Sequence, residues 1–222
     1  EKRQDIIIST CCPSAVRLVQ KYYPELGGCL APVVSPMEAH ARYIKEQDPD
    51  AVVVFIGPCI SKKAEAEDFS HAVDHVLTFE ELKAWAAAEK AEPEAQSCDQ
   101  SGRRSRFFPK PGGVIQSMDR EGTGYRYYAV DGPEKCAAAL RDIQSRRLHN
   151  VFLEMNICEG ACINGPMIRS RQGGMLECQD RVTDYAAPGF PDIRPKRDFQ
   201  GGGDISLACT ITPKPVEIPL GP

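Results

Sequence analysis

The sequence predicts an α/β fold: a Rossmann-like, mostly parallel sheet with helices on both faces and cysteine-bearing loops at the strand ends. Three observations predict it. Short apolar runs at residues 6–8, 52–56 and 151–153 alternate with longer segments of helical period. Helix-start signals, a proline or a capping residue, recur between the runs. Each run ends in a thiol-bearing motif: Ser9-Thr10-Cys11-Cys12-Pro13, Gly57-Pro58-Cys59-Ile60-Ser61-Lys62-Lys63, and a third running from Glu154 through Cys158 and Cys162 to Pro166. Ligands bind beyond the carboxyl ends of strands in such sheets. Three strand ends that carry thiols can therefore converge on one soft metal centre.

The elements follow in order. Residues 6–8 form a short strand. Pro13 suits the first turn of a helix that runs to about residue 23, with Ala15, Val16, Val19 and Tyr22 on one face, and Pro24 ends it. Ser35-Pro36-Met37-Glu38 opens a second helix, with Ser35 as its cap, running to about residue 46. Residues 51–56 are a continuous apolar strand, predicted to be buried on both faces. Residues 73–77 read as a strand, and Thr78 caps a helix that extends to about residue 90. Residues 91–124 are polar and rich in Pro, Gly, Ser and Arg, the composition of a long surface loop. Within it, Phe107 and Phe108, followed by Pro109 and Gly112-Gly113, are suited to dock the loop onto the body. Residues 125–130 form a strand, Pro133 starts a helix to about residue 146, and residues 151–154 form the last strand. Residues 1–180 are read as one α/β domain and 181–222 as a Pro/Gly-rich extended tail or linker. No internal repeat is visible.

Composition narrows the class. At 222 residues and 42% hydrophobic, the chain has ample material for a core. A net charge of −4, with no basic stripe, excludes a nucleic-acid footprint. No apolar run is long enough to span a bilayer, and no signal peptide is present, so a cytoplasmic location is expected. The chain opens on Glu1 directly before a core strand, which reads as a processed or excised piece whose upstream parts were trimmed, or as an unusually minimal form. Ten cysteines in a chain of this pattern indicate reduced thiols serving a metal rather than a secreted disulfide scaffold. Cys29, Cys98, Cys136, Cys178 and Cys209 lack ligand spacing and read as buried small hydrophobes or free thiols.

Cys158-x3-Cys162 puts two thiols one helical turn apart, on one side of a helix's opening turn. Two more from the other strand ends complete a four-thiolate set, suited to tetrahedral zinc or a [4Fe–4S] cubane. Paired C-x2-C knuckles and the ferredoxin run are both absent. Cys11 beside Cys12 offers one thiol for ligation and one left free, and a free thiol titrating near the working pH can relay protons. Lys62, three residues after Cys59, can aim its ammonium at anionic ligands, whereas Lys63 reads as solvated. Glu65 is either a salt-bridge partner or a surface carboxylate.

These segments resemble the catalytic domain of the iron-only ([FeFe]) hydrogenases. That family carries signatures close to T-S-C-C-P, P-C-x2-K-x2-E and E-x3-C-x3-C. The chain reads Ser9-Thr10-Cys11-Cys12-Pro13, Pro58-Cys59-x2-Lys62-x2-Glu65 and Glu154-x3-Cys158-x3-Cys162. Tyr23-Pro24-Glu25-Leu26, Ser35-Pro36 and Phe108-Pro109-x2-Gly112-Gly113 are also similar to the family, and the likeness covers residues 1 to about 200. The resemblance implies an H-cluster: a [4Fe–4S] cubane joined to a two-iron subcluster bearing CO, cyanide and an azadithiolate bridge. It implies that Cys12, Cys59, Cys158 and Cys162 hold the cubane, with Cys162 also bridging to the two-iron part. By the same resemblance Cys11 passes protons to the bridge amine, and Lys62 hydrogen-bonds a cyanide. The implied reaction is 2H⁺ + 2e⁻ ⇌ H₂, with ferredoxin or a similar electron carrier and maturation proteins as partners. An N-terminal lobe or a fused signalling domain outside this chain belongs to the same expectation.

The chain departs from the family where Gly57 and Asn156 replace methionines, and where the third signature ends in Gly165-Pro166-Met167. These changes resemble divergent branches that include sensory hydrogenases and a poorly described catalytic group, and they imply altered polarity near the two-iron part. Two alternatives stand beside the hydrogenase: an H₂- or redox-sensing module with low turnover, and a non-hydrogenase relative in iron–sulfur cluster assembly. A zinc-binding structural protein is the bland third.

Overall fold

Two β-α-β units supply most of the strands in the computed structural model, which describes residues 4–69, 72–91, 104–168, 173–186 and 206–212. In the first unit, β2 (Val54–Gly57) and β3 (His75–Thr78) run parallel around α3 (Ser61–Phe69). In the second, β4 (Arg126–Asp131) and β5 (Val151–Asn156) run parallel around α6 (Pro133–Gln144). Strand β1 (Ile6–Ile8) pairs with the other edge of β5, Ile6 opposite Val151 and Ile8 opposite Leu153. The fold is α/β with parallel sheets flanked by helices, as the sequence predicts. Among the described residues the strands divide into a three-stranded sheet, β1-β5-β4, and a two-stranded one, β2-β3. Parallel pairing through helical crossovers leaves the carboxyl ends of the strands at one edge of each sheet.

Strand β5 is buried along its whole length, because it is central in its sheet and covered on both faces. Its Val151, Leu153 and Met155 join Ile8, helix α1 (Pro13–Tyr22) and helix α6 in the main core. The opposite face carries Phe152, whose ring lies 5.6 Å from that of Tyr127. Each fully buried aliphatic side chain here contributes about 1.5–3 kcal/mol through removal of apolar surface from water.

Several expectations need correction. On α1, Ala15, Val16 and Val19 are buried, but Tyr22 is 65% exposed and Gln20 is buried instead. The cause is tertiary: residues 206–212 lie along this side of α1, and Gln20 Nε2 donates to the Thr212 carbonyl at 2.7 Å. The same segment bridges Val33 through Ala208 and accepts from Arg42 at Ser206 O. The run at 51–56 is not buried on both faces. Val53 and Phe55 pack toward Met37 and Ala41 of α2 (Pro36–Gln47), while Val52 is 69% exposed and Val54 and Ile56 also face out. A continuous apolar run cannot report that only one side of its sheet is covered.

The stretch read as a surface loop is built into the body from residue 104 onward. A 3-10 turn at Arg104–Phe107 buries Phe107, and α5 (Gly113–Ser117) follows. A β-carbon on Gly113 would lie 1.7 Å from the Phe107 carbonyl oxygen, so only glycine permits this return of the chain. Helix α7 (Met175–Ala186) was not expected from the sequence and crosses residue 180. Cys98 and residues 187–205 lie outside the described residues. Among the described residues no helix is long and apolar enough to cross a membrane.

The cap at Thr78 forms as predicted. Its hydroxyl accepts from Glu81 N, and the Glu81 carboxylate accepts from Thr78 N, a reciprocal box at the start of α4 (Phe79–Ala88). The Lys63 ammonium, and then the Thr78 donors, lower the Glu81 carboxyl from 4.5 to about 2. A depressed carboxyl contributes stability above its unfolded value that is lost as pH falls through its folded value. Wild type should therefore lose an increment of stability between about pH 4.5 and about 2, and Glu81→Gln should not. Urea midpoints across that window test this, and an unchanging gap between the two proteins would refute it.

Candidate functional site

The three thiol motifs occupy strand ends, and each is shaped by local backbone requirements. Beyond β1, Ser9 N still donates to Leu153 O at 2.9 Å, which carries buried Ser9 and Thr10 to the end of the sheet. Cys12 then serves as the N-terminal boundary residue of α1, in extended backbone, with Pro13 as the first helical residue. Burial pushes the Cys12 thiol up, while N–H groups of Ile157, Ala15 and Ser14 favour its thiolate. Cys59 lies between β2 and α3, its carbonyl accepting from Lys62 N at 3.3 Å.

Beyond β5 the chain turns sharply. Cys158 and Cys162 are not on the opening turn of an α-helix as expected. Gly160 and Ala161 both have positive φ, and a 3-10 turn at Ala161–Asn164 follows. The left-handed pair redirects the chain so that the turn packs back toward the second motif. A β-carbon on Gly165 would lie 2.8 Å from the Pro58 carbonyl oxygen, and Met167 N donates to that same oxygen at 3.4 Å. Two backbone contacts brace the turn: Asp131 Oδ2 accepts from Gly160 N at 2.6 Å, and Pro109 O accepts from Ile163 N at 3.1 Å.

The fold brings Cys12, Cys59, Cys158 and Cys162 together. Charge on Cys59 raises the Cys12 thiol. Burial raises Cys158, and charges on Cys12 and Cys59 add to the rise. Burial pushes Cys162 up to about 12, and Cys12, Cys59 and Cys158 all add to the rise. Every one of the four thus interacts with the other three. Among the described residues, no three His, Cys, Asp or Glu side chains are grouped so as to hold a single metal ion. The described cysteines are free thiols. A partly buried set of four soft sulfurs, with burial disfavouring the isolated thiolates of Cys12, Cys158 and Cys162, fits a polynuclear iron–sulfur cation that takes up their charge.

Cys11 and Lys62 adjoin this set. Burial pushes the Cys11 thiol up to about 12, with Lys62 opposing the rise and Glu154 adding to it. Burial thus favours the protonated thiol at Cys11, and Lys62 favours its thiolate. Lys62 is 8% exposed. Its Nζ donates to Glu65 Oε2 at 2.6 Å, to Ser35 Oγ at 3.0 Å and to the Cys11 carbonyl at 3.3 Å. Three N–H bonds meet three protein acceptors, so contact with any further anion requires one to be released, and the Cys11 carbonyl is the longest. Glu65 is buried in this ion pair, which removes the surface reading. Lys63 turns outward to Glu81. The motifs are fastened across the two sheets by the Ser14–Ser61 hydroxyl pair and the Arg17–Asp68 ion pair, both at 2.6 Å.

Sequence reading missed three contributors. Ser35 occupies the helix boundary as expected, but its hydroxyl makes no capping bond and accepts from Lys62 instead. Asp131 was legible only as the last residue of a strand before a glycine. The Pro109 carbonyl carries no side-chain signal at all.

A family model described as the C-terminal domain of the iron-only hydrogenase large subunit matches residues 1–166. Iron hydrogenase 1 of Clostridium pasteurianum is 27% identical over 214 residues, covering 72% of this chain and 37% of that protein. The cytosolic Fe-S cluster assembly factor NAR1 of Kluyveromyces lactis is 34% identical over 80 residues, 35% of this chain and 17% of that protein. The chain thus spans little more than a third of the longer-matching curated relative. Among solved structures, an [FeFe]-hydrogenase described for oxygen inactivation through its H cluster 2Fe subcluster has a TM-score of 0.69 at 18% identity. A variant of the [FeFe]-hydrogenase HydA1 of Chlamydomonas reinhardtii has a TM-score of 0.67 at 17% identity. Each alignment covers 96% of this chain and 77% of the other, and at these identities the likeness is one of fold.

Proposed function

The chain belongs to the iron-only hydrogenase family, as a form of the C-terminal domain found in its large subunit, and from that premise we propose that it holds an H-cluster and takes part in the reversible reaction 2H⁺ + 2e⁻ ⇌ H₂. The observation that carries this reading is the mutual coupling of Cys12, Cys59, Cys158 and Cys162 from three strand ends. These four would hold a [4Fe–4S] cubane, with Cys162 shared with a two-iron subcluster bearing CO, cyanide and azadithiolate. When bound, that group supplies the iron at which protons and electrons combine. The protein's own part is to keep a proton on Cys11 Sγ beside the site, to present the Lys62 ammonium, and to exclude water with the buried 9–10 and 154–156 segments. A ferredoxin-type electron carrier and maturation proteins are the proposed partners. A second reading, a cluster-assembly relative without hydrogen turnover, has the Kluyveromyces match in its support.

Infrared spectroscopy of anaerobically matured protein, combined with hydrogen evolution from a reduced dye, tests the proposal. Metal-bound CO and cyanide bands together with turnover are expected. An intact cubane that never acquires those bands would favour the assembly relative. Lys62→Ala should lose the CO and cyanide bands and retain the cubane, because a charge-assisted donor is gone, whereas Lys63→Ala should keep both. Lys62→Ala also strands Glu65 as an unpaired buried charge, at a cost of about 3–5 kcal/mol. The double variant Lys62→Met/Glu65→Gln removes the pair together and should give the same spectrum as Lys62→Ala. Equal damage from Lys63→Ala would discard the assigned role of Lys62.

A further inference from the structure

Glu154 is a buried carboxylate whose hydrogen-bonding oxygens the proposed chemistry does not use. It lies on β5 opposite Ala129 and is 1% exposed. A buried carboxylate is costly unless it is hydrogen-bonded. Burial pushes the Glu154 carboxyl up, and donors from a segment 39 residues away oppose that rise: Ile115 N donates to Glu154 Oε2 at 2.9 Å, and the Val114 and Gly112 N–H groups oppose it too. Asn156 Nδ2 reaches the other oxygen at 3.4 Å. The start of α5 has no side-chain cap of its own, since its boundary residue is Gly112. Glu154 supplies that cap across the fold.

The segment gathered by Glu154 is itself stiff. Lys110 N donates to Phe107 O and Gly113 N to Lys110 O, each at 3.0 Å, while Phe107 is anchored in the interior. Midway along, the Pro109 carbonyl accepts from Ile163 N, the residue after Cys162. The chain of contact therefore runs from Glu154 to the 112–115 amides, through the 107–113 loop, to the backbone of the third thiol motif. Glu154 also begins that motif four residues before Cys158, so it ties the motif to the loop that braces it.

We propose that Glu154 is a positioning residue for the thiol site: by collecting the amides of Gly112, Val114 and Ile115 it holds the 107–113 loop against Ile163 and so fixes the setting of Cys162. The proposal rests on reading Cys158 and Cys162 as cluster-holding thiols only for its consequence in iron binding; the mechanical link stands apart from it. Glu154→Gln is nearly isosteric but places an NH₂ among backbone donors, whereas Glu154→Asp keeps the charge on a shorter arm.

The test uses the unloaded full chain. Amide exchange at Ile115 and Ile163, and the alkylation rate of Cys162 resolved by mass spectrometry, should each rise about tenfold or more in Glu154→Gln, the scale expected for losing a hydrogen bond to a charged group. Amides of β1 and alkylation of Cys29 should stay at wild-type rates, and Glu154→Asp should recover part of the loss. If Glu154→Gln fails to fold, Glu154→Asp supplies the same test, because its shorter arm keeps the charge but loosens the hold on the Ile115 amide, and it should show a smaller rise at the same positions. Faster exchange at Ile115 with no change at Ile163 or Cys162 overturns the link, in either variant. Reconstitution with iron and sulfide then separates the two ideas: a confirmed link in a protein that binds no iron refutes the reading of the thiols and leaves the role of Glu154 as a brace.

Discussion

Replacing Cys59 or Cys158 with alanine should abolish iron–sulfur loading outright. The wild-type chain, treated anaerobically with iron and sulfide, is expected to take up one four-iron cluster and give a brown, reducible species. Cys59 follows a strand of one sheet and Cys158 a strand of the other, so neither thiol can take the other's place. Loss of either leaves three thiolates for a cluster that takes four. The variants should keep their fold, since both thiols are only partly buried and neither belongs to the apolar core. Circular dichroism checks that point. Cys29→Ala is the matched control, because Cys29 feels the charge of Asp5 and none of the four, and it should load normally. Stoichiometric zinc in place of iron, or normal loading in Cys59→Ala, would end the ligand assignment.

The second large effect is expected at Cys11. Under the proposed function this thiol carries protons and ligates nothing. Burial favours its protonated form, and Lys62 favours the thiolate. Cys11→Ala should leave the cluster spectra nearly unchanged and lower hydrogen turnover by at least about a hundredfold, the scale of losing a positioned proton donor. Cys11→Asp should recover part of the rate, because a carboxyl can also hold and release a proton there. Matured wild-type protein with an intact two-iron spectrum and negligible turnover would support the sensory reading. Unchanged turnover in Cys11→Ala would mean that the thiol is only packing.

The Lys62 environment connects these results. An ammonium with three protein acceptors is already satisfied, so any anion it meets competes with Glu65, Ser35 and the Cys11 carbonyl. Releasing the Cys11 carbonyl costs least by distance, and it is also the contact next to the thiol that carries the proton. Changes at Lys62 are therefore expected to disturb Cys11 as well, and the two positions should be treated as coupled in mutational work.

Much of this protein was legible in its sequence because the signals are local. The period of apolar residues marked the strands and helices, Thr78 with Glu81 announced a cap, and proline marked the first turn of α1, α2 and α6. Thiols at three strand ends were visible as motifs, and parallel strands by their nature carry those ends to one side. What only the tertiary structure decided depends on contacts between distant segments. The exposed face of β2 was hidden in a continuous apolar run, because nothing in the run records what covers it. Gln20 replaced Tyr22 in the interior because residues 206–212 lie against α1. Ser35 turned from helix cap to partner of Lys62, and the charges of Lys62 and Glu154 that act on Cys11 come from segments far away in sequence. The backbone braces on the third motif, Asp131 to Gly160 and Pro109 to Ile163, join residues 29 and 54 positions apart. Local propensity sets which residues begin and end an element; desolvation and long-range hydrogen bonding, which no window of sequence contains, set what each side chain in the site can do.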